Sequence, residues 1–250
     1  MKKVLFVDLD DTLFQSQPKC PASAELKPIA YLKDGNPISY ATPAQISMLQ
    51  MFQKEMLVIP VTARNLDAFS RVKIDFKNGA VLNYGGVILE PDGTVDKNWL
   101  DKSLENSSRG VAGLEFFQLY IEYESKQCKF DLKSRIISDL ELPFYVVAKS
   151  PSYDTDSILK IAQLCEQKCN EVEFSEYRVH VNGNNLAILP SWLDKRHAVQ
   201  YLLEKLSKTE EQFVTFGMGD SLIDLGFMSE CQYMIVPTVS QIAGSRMVKL

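Results

Sequence analysis

The sequence lacks the features that mark nucleic-acid-binding and membrane proteins. Its formal net charge is −5, whereas a nucleic-acid-binding protein usually carries an excess of basic residues on one face. It contains no long apolar stretch that could span a membrane. The apolar run at the start stops at Asp8, and no small-residue cleavage site follows, unlike in a signal peptide. We therefore expect a cytoplasmic protein with no nucleic-acid or membrane partner.

The sequence does not predict a zinc site, because its histidines are few and its cysteines lack the spacing of zinc ligands. The two histidines, His180 and His197, have no ligand-like partner nearby in sequence. The five cysteines are an odd number in a chain that is too large to need disulfide bonds. Cys165 and Cys169 are one helical turn apart, but no second pair completes the four ligands that zinc demands. We interpret them as idle thiols in a reducing compartment.

Apolar strand patterns and amphipathic helix patterns alternate at both ends of the chain. The continuous run from Val4 to Val7 is typical of a strand buried on both faces. Pro43 begins a predicted helix, and the strand after it should end near Pro60, because proline cannot donate to a sheet. Further strands are predicted at residues 80–83, 87–89, 213–216 and 233–236, and a further helix at 194–206.

The middle of the chain has a different pattern, with helices predicted at residues 113–127 and 155–168 and strands at 144–148, 171–181 and 186–189. A parallel α/β core interrupted by an inserted domain explains both patterns. Ligands of such sheets bind beyond the carboxyl ends of the strands. Asp8, Thr62 and Asp220 each follow a predicted strand, so we expect them to converge on one crevice.

The segment from Gln15 to Thr42 is polar and contains four prolines. The simplest interpretation is a surface loop. Loops of this length are often functional, and this one begins close to Asp8 in sequence. We therefore keep open the alternative that it folds over the crevice.

The polar residues at the predicted strand ends indicate phosphate and metal chemistry. Asp8, Asp10 and Asp11 follow the first strand, while Asp220 and Asp224 follow a late one. Carboxylates that meet in a crevice repel each other, and an oxygen-ligated cation such as Mg²⁺ relieves this repulsion. Taken singly, each cluster is explained more often by turn or capping chemistry than by catalysis.

Two further polar residues would complete a phosphate site. Lys195, at the start of a predicted helix, could balance a phosphate dianion, and the hydroxyl of Thr62 could donate to a phosphoryl oxygen. With them, four pieces occur in a fixed order, each at a strand end or a helix start. This combination is the basis for predicting a phosphate site, because four motifs in this order are less easily explained by chance than any one of them alone.

These pieces, VDLDDTL, VTAR, Lys195 and GMGDSLIDLGFM, resemble the four signature motifs of the haloacid dehalogenase-like superfamily. The inserted segment is similar to the type IIB cap of its sugar phosphatases, which include sucrose-phosphate, mannosyl-phosphoglycerate and Cof-type phosphatases. The resemblance implies a Rossmann-like α/β core with a parallel sheet at residues 1–89 and 187–250. It also implies an inserted α/β cap domain, which determines substrate specificity, at residues 90–186.

The resemblance also implies the catalytic roles. Asp8 would attack phosphorus and become an aspartyl phosphate, and Asp10 would protonate the leaving oxygen and later accept a proton from water. Covalent catalysis of this kind needs cations that screen the repulsion between carboxylate and phosphate. Dehalogenases of the superfamily lack an aspartate two residues after the nucleophile. The presence of Asp10 therefore favours a phosphate ester as the substrate.

The metal and phosphate ligands follow from the same resemblance. Mg²⁺ would be held by the Asp8 carboxylate, the Asp10 backbone carbonyl and Asp220, with Asp224 orienting Lys195 or a metal-bound water. Thr62 and Lys195 would hold the phosphoryl oxygens. Ile223 departs from the family pattern, since asparagine is common at that position.

The remaining candidates have two interpretations each. Arg64 would reach a phosphate or sugar oxygen, or form a salt bridge with a neighbouring acid. Arg178 and His180 lie on a predicted cap strand and would contact substrate if that face is the exposed one.

The functional hypothesis is Mg²⁺-dependent hydrolysis of a small phosphomonoester, a sugar phosphate in the first place. A phosphotransferase or mutase that uses the same aspartyl phosphate is the enzymatic alternative. A non-catalytic binding module with this fold is the other alternative. Such a module would be expected to lack one or more of Asp8, Asp10, Lys195 and Asp220, and all four are present.

Overall fold

A computed structural model of the chain describes residues 1–22, 25–209 and 212–245. The strands in these ranges are β1 Lys2–Val7, β2 Gln15–Ser16, β3 Lys27–Tyr31, β4 Pro37–Ala41, β5 Leu57–Pro60, β6 Ala80–Leu82, β7 Val87–Leu89, β8 Lys133–Asp139, β9 Leu142–Lys149, β10 Tyr177–Asn182, β11 Asn185–Pro190, β12 Phe213–Met218 and β13 Tyr233–Ile235. The helices are α1 Pro43–Glu55, α2 Leu66–Ser70, α3 Lys97–Gln127, α4 Thr155–Cys169, α5 Lys195–Thr209, α6 Leu225–Met228 and α7 Gln241–Gly244. In the described part of the chain, no helix is long and apolar enough to cross a membrane.

The chain divides into two compact units, Met1–Leu100 with Asp194–Leu250 (unit 1) and Asp101–Leu193 (unit 2). Unit 1 is built on a parallel sheet with the strand order β13-β12-β1-β5. Strand β1 lies between β12 and β5, so its residues from Val4 to Val7 are fully buried. The predicted α/β fold with a parallel core sheet is therefore confirmed, and Pro60 is the last residue of β5, as expected.

Alternating residues of β1 bury side chains on the two faces of this sheet, as the two-residue period of a strand requires. On one face, Leu5 and Val7 belong to a cluster that contains Leu49 and Phe52 of α1. On the other face, Val4 and Phe6 share a cluster with residues of α5. Burying one such side chain contributes roughly 1.5–3 kcal/mol. The two clusters fix the helices that flank the strand ends.

Helix α1 starts where the sequence predicts. Its N-cap Thr42 forms a capping box with Gln45, in which the Thr42 hydroxyl accepts from the Gln45 N–H and the Gln45 side chain accepts from the Thr42 N–H. Pro43 occupies the first helical position, where its missing N–H is not needed. The chain therefore enters α1 in a single defined conformation.

The segment predicted as a surface loop, residues 15–42, instead contributes the three strands β2, β3 and β4, which form a sheet with the order β2-β4-β3. Ile29 and Ala30 of β3 are buried in a core cluster of unit 1. The backbone of β3 is also bonded to the core, because the Lys73 N–H donates to the Ile29 carbonyl over 2.7 Å. The loop interpretation is wrong, and the segment is an integral part of unit 1.

Unit 2 contains an antiparallel sheet with the order β10-β11-β9-β8. Helices α3 and α4 cover one face of it through a cluster that includes Phe117, Ile161 and Ile188. The clusters of unit 1 share no residue with this one. Each unit therefore has its own hydrophobic core, as a domain does.

Two predictions between residues 97 and 181 need correction, and one strand there was not predicted. The helix predicted at 113–127 starts much earlier, at Lys97, because Asp96 caps it by accepting the Trp99 N–H. The strand predicted at 171–181 begins only at Tyr177, because residues Val172–Phe174 form a 3-10 turn. Strand β8 was not predicted, since its polar sequence KSRIISD lacks an apolar run.

Candidate active site

The candidate site lies at the carboxyl ends of β1, β5 and β12, where the sequence places its polar motifs. The Asp8 N–H donates to the Met218 carbonyl over 2.8 Å, and the Val61 N–H donates to the Val7 carbonyl over 2.8 Å. These bonds continue the parallel pairing of β1 with β12 and β5 as far as Asp8 and Val61, next to the predicted site residues. Asp8 is therefore flanked by the segment of Thr62 on one side and that of Asp220 on the other.

Lys195 is the cation at the centre of the site. It is the first residue of α5, and its side chain is 3% exposed. Its Nζ lies 2.5 Å from Asp8 Oδ1 and 2.7 Å from Asp224 Oδ1. Burial alone would lower the pKa of Lys195, but Asp224 and Asp8 outweigh it and hold that pKa above its ordinary value. The ammonium is thus charged at neutral pH.

Asp8, Asp220 and Asp224 form a buried acidic cluster, in which one carboxylate oxygen of each lies within 4.8 Å of the others. Burial raises the pKa of Asp8 well above its usual value, against the opposing effect of Lys195. Burial, followed by the charges of Asp224 and Asp11, raises the pKa of Asp220 to about 6. A single lysine therefore does not fully compensate the carboxylates of this cluster.

The donor set of this cluster fits a magnesium ion. It offers only carboxylate oxygens, which hard divalent cations prefer, and the raised pKa values indicate uncompensated negative charge. Among the described residues, no other group of three or more acidic, histidine or cysteine side chains is close enough to bind an ion together. Cys165 and Cys169 accordingly have no further ligand, and burial raises the pKa of Cys165 to about 12.

Asp224 has both carboxylate oxygens engaged within the protein. Oδ1 accepts from Lys195, and Oδ2 accepts from the Ser221 hydroxyl over 2.6 Å and the Ser221 N–H over 3.1 Å. Gly219 allows this close packing, since a Cβ there would lie 2.6 Å from the Asp224 Cβ. Asp224 was predicted to orient either Lys195 or a metal-bound water, and the structure shows its contact with Lys195. Ile223 is half-buried beside it and offers no ligand atom.

Thr12 connects the two ends of the cluster, and sequence reasoning assigned it no role. Its hydroxyl lies 3.2 Å from Asp220 Oδ1 and 3.4 Å from Asp8 Oδ2. A hydroxyl has one proton, so it donates to one of these carboxylates at a time. Its position four residues after Asp8, in the turn that follows β1, was the only available signal.

Asp10 forms a two-pronged salt bridge with Arg64. The Asp10 carboxylate accepts from Arg64 Nε over 2.8 Å and from Nη2 over 2.7 Å. The guanidinium also donates to the Ala68 carbonyl and lies 5.2 Å from the Phe14 ring centroid. Of the two interpretations of Arg64, the salt bridge is the one formed, and its partner is the predicted general acid.

Thr62 is almost fully buried, at 1% exposure. Its N–H donates to the Val81 carbonyl, and its hydroxyl oxygen accepts the Arg64 N–H over 3.1 Å. Accepting that bond leaves the hydroxyl proton available for donation, which a phosphoryl oxygen requires.

Arg178 and His180 belong to unit 2, whereas all the residues above belong to unit 1. Both lie on β10, two residues apart and hence on the same face. Their neighbours Val179 and Val181 pack into the cluster under α3 and α4. Arg178 and His180 therefore lie on the opposite face of the sheet, and both are partly buried. His197, in contrast, is exposed on α5.

Comparisons with known proteins agree with this architecture. Residues 115–236, which include Lys195, Asp220 and Asp224, match the family model described as haloacid dehalogenase-like hydrolase. No curated protein sequence matches the chain.

Among solved structures, the chain is similar to the sucrose-phosphatase of Synechocystis sp. in complex with sucrose and phosphate, with 17% identity, coverage of 94% of this chain and 83% of that one, and a TM-score of 0.54. It is also similar to the C-terminal domain of C. albicans trehalose-6-phosphate phosphatase, with 13% identity, coverage of 91% and 73%, and a TM-score of 0.56. A Thermoplasma acidophilum protein has 15% identity, coverage of 96% and 86%, and a TM-score of 0.56.

At these identities the structural similarity shows the fold, and the family match covers the segment with the two late motifs. The chain is therefore similar to the haloacid dehalogenase-like hydrolases over residues 115–236 and shares its fold with the phosphatase structures named above.

Proposed function

We propose that the chain is a Mg²⁺-dependent phosphatase that hydrolyses a small phosphomonoester through a phosphorylated Asp8. The observation that carries this proposal is the buried contact of 2.5 Å between the Asp8 carboxylate and the Lys195 ammonium, beside Asp220. A carboxylate needs such cationic surroundings to remain ionised and to approach a phosphate dianion. A purely structural ion pair would not need the additional acidic groups, which make burial more costly.

In the first chemical step, a carboxylate oxygen of Asp8 forms a bond with phosphorus while the bond to the leaving oxygen breaks. That oxygen takes a proton from Asp10 and departs as an alcohol. Lys195 and the Thr62 hydroxyl hold phosphoryl oxygens during the transfer, so negative charge is matched where it develops.

In the second step, water attacks the phosphorus of the aspartyl phosphate and gives a proton to Asp10. The bond between phosphorus and Asp8 breaks, which releases inorganic phosphate and restores both carboxyl groups. When bound by Asp8, Asp220 and the backbone of Asp10, Mg²⁺ would supply charge neutralisation for the carboxylates and the phosphoryl oxygens.

We propose a phosphorylated sugar as the substrate class. The motivation is the similarity to structures whose names specify sucrose-phosphatase and trehalose-6-phosphate phosphatase. We further propose that residues 90–186, most of which lie in unit 2, act as the cap that selects the substrate. All the residues proposed for catalysis lie outside this segment.

A phosphatase assay with Mg²⁺, with EDTA, and with the variant Asp8→Asn tests the proposal. We expect phosphate release that chelation abolishes and added Mg²⁺ restores, and no turnover by Asp8→Asn, because an amide cannot attack phosphorus. Ca²⁺ should inhibit, since its longer and looser coordination misplaces the phosphoryl group. Asp75→Asn, at an exposed carboxylate paired with Lys77, is the matched control.

Each alternative has its own outcome in this assay. Full activity after exhaustive chelation would reject the metal, and full activity of Asp8→Asn would reject the nucleophile. Transfer of phosphate to an added sugar in place of water would indicate a phosphotransferase or mutase. No turnover across a panel of sugar phosphates, phosphoglycerates and nucleotides would favour the non-catalytic binding module.

A further inference from the structure

The most unusual backbone in unit 1 is the turn formed by residues Asn83–Gly85. Its three residues have φ angles of 51°, 54° and 102°, all in the left-handed region. Glycine adopts this region freely, but a bulky residue such as Tyr84 adopts it only under strain. Tyr84 is also 8% exposed, whereas the left-handed residues Leu140 and Tyr153 of unit 2 are 43% and 78% exposed. Strain in a buried turn persists only where the surroundings enforce it.

One side of this turn is bonded to the segment that carries Thr62. The Tyr84 N–H donates to the Thr62 carbonyl over 3.1 Å, and the Asn83 N–H donates to the Arg64 carbonyl over 2.9 Å. Both bonds depend on the direction in which the left-handed residues point their N–H groups. The conformation of the turn therefore sets the position of the Thr62 backbone.

The other side of the turn packs against the start of α5. A Cβ on Gly85 would lie 2.4 Å from the Asp194 carbonyl oxygen and 3.2 Å from the Lys195 backbone nitrogen. The Gly85 carbonyl accepts from Trp99 Nε1 over 2.8 Å, which holds the turn in place. The same three residues thus contact the two segments that carry the proposed phosphoryl-binding groups.

We propose that the Asn83–Gly85 turn is a positioning element that sets the separation between the Thr62 hydroxyl and the Lys195 ammonium, with Tyr84 as its central positioning residue. This inference rests on the proposed function. The side chain of Tyr84 lies in the same environment, because burial raises its pKa and the charges of Lys195, Asp224 and Asp8 act on it as well. The turn itself supplies neither a metal ligand nor the leaving-group acid in this proposal.

Two substitutions by residues of similar size distinguish the effect of the turn conformation from the effect of the Tyr84 ring. Tyr84→Asn removes the ring but keeps a residue that tolerates the left-handed region, whereas Tyr84→Val introduces a β-branched residue that resists it. The measurement is the affinity for inorganic phosphate, and separately for Mg²⁺, by calorimetry on the full chain. We expect Tyr84→Val to bind phosphate at least about tenfold more weakly and Tyr84→Asn to stay within about threefold of the parent.

Three controls make the experiment decisive. Mg²⁺ affinity should be unchanged in both variants. Leu140→Asn and Leu140→Val make the same comparison at the left-handed turn between β8 and β9, and should leave phosphate affinity unaltered. Tyr84→Phe retains the ring and the turn and should bind phosphate as the parent does.

Two results would overturn the proposal. One is phosphate affinity of parental strength in folded Tyr84→Val; the other is equal weakening in the Asn and Val variants, which would assign the effect to the ring. If Tyr84→Val does not fold, an unaltered affinity in Tyr84→Phe together with a tenfold loss in Tyr84→Asn would equally overturn it. A parent that binds no phosphate in the presence of Mg²⁺ contradicts the proposed function instead.

Discussion

At the scale of single residues, Arg64 commits three of its five N–H groups, two to Asp10 and one to the Ala68 carbonyl. A two-pronged contact fixes both the position and the plane of a carboxylate, which a single contact does not. In the proposed mechanism, Asp10 must present one oxygen to the leaving group. Arg64 therefore fixes the orientation of the carboxyl group that is the general acid in the proposed mechanism.

The variant Arg64→Gln tests this role. We expect its loss of kcat to be about 10- to 100-fold on alkyl phosphates, whose leaving oxygen needs a proton. On p-nitrophenyl phosphate, whose leaving group departs without one, the loss should be several times smaller. Arg71→Gln removes a comparable salt bridge, to Asp67, and serves as the control. An equal loss on both ester types would show that Arg64 acts by another route.

The sequence was informative for some residues of the site and silent for others. Asp8, Lys195, Asp220 and Asp224 were identified because their motifs occur in a fixed order, each at a predicted strand end or helix start. The salt bridge of Arg64 was one of two open interpretations, because sequence does not specify which way a long side chain turns. Tyr84 had no signal at all, since its φ angle depends on packing that the chain acquires only when folded.

At the scale of elements, the same distinction holds. The strands of the parallel core were predicted because they are continuous apolar runs, and α1 because its cap is local. The three-stranded sheet at residues 15–41 was missed because its prolines resembled a loop. Pro37 is in fact the first residue of β4 and Pro28 the second of β3, positions where a missing N–H is tolerated. The first half of α3 was missed because its sequence, KNWLDKSLENSSRG, shows little amphipathic pattern.

Strand β10 gives the element-scale prediction. The variant Arg178→Ala/His180→Ala removes a cation and an imidazole from the face of the unit 2 sheet that is opposite α3 and α4. We expect kcat/KM to change unevenly across a panel of sugar phosphates, and much less on p-nitrophenyl phosphate. A small ester draws little binding energy from groups remote from phosphorus. Uniform changes across the panel would contradict a role in selectivity, and Arg109→Ala, on exposed α3 surface, is the control.

At the scale of the whole molecule, the acidic cluster links stability to pH. The pKa of Asp220 is raised from 3.8 to about 6 in the folded chain. A raised pKa means that the folded state binds the proton more tightly than the unfolded state. The stability it contributes is complete below about pH 4 and is lost as pH rises through about 6. Asp67 and Asp92, whose pKa values are lowered by hydrogen bonds, act in the opposite direction.

A comparison of the parent with Asp220→Asn isolates this contribution, since the amide resembles the protonated acid. In EDTA, the two proteins should unfold at the same urea concentration near pH 4. Near pH 7.5 the variant should be more stable by roughly 1–3 kcal/mol. Added Mg²⁺ should stabilise the parent more than the variant, because the ion binds the folded state. A parent that gains stability relative to the variant as pH rises in EDTA would contradict the shift.

The parallel pairing of β1 with β12 also has a consequence for the order of folding. The contact between Asp8 and Lys195 joins residues 187 positions apart, so closing it restricts a very long loop. Unit 2, in contrast, is continuous in sequence and rich in hairpins and neighbouring helices, which form early. During synthesis from the N-terminus, this unit can fold before β12 has been made. Asp8, the proposed nucleophile, then gains its contact with Lys195 only in a late stage of folding, so under the proposed mechanism a partly made chain has an incomplete site.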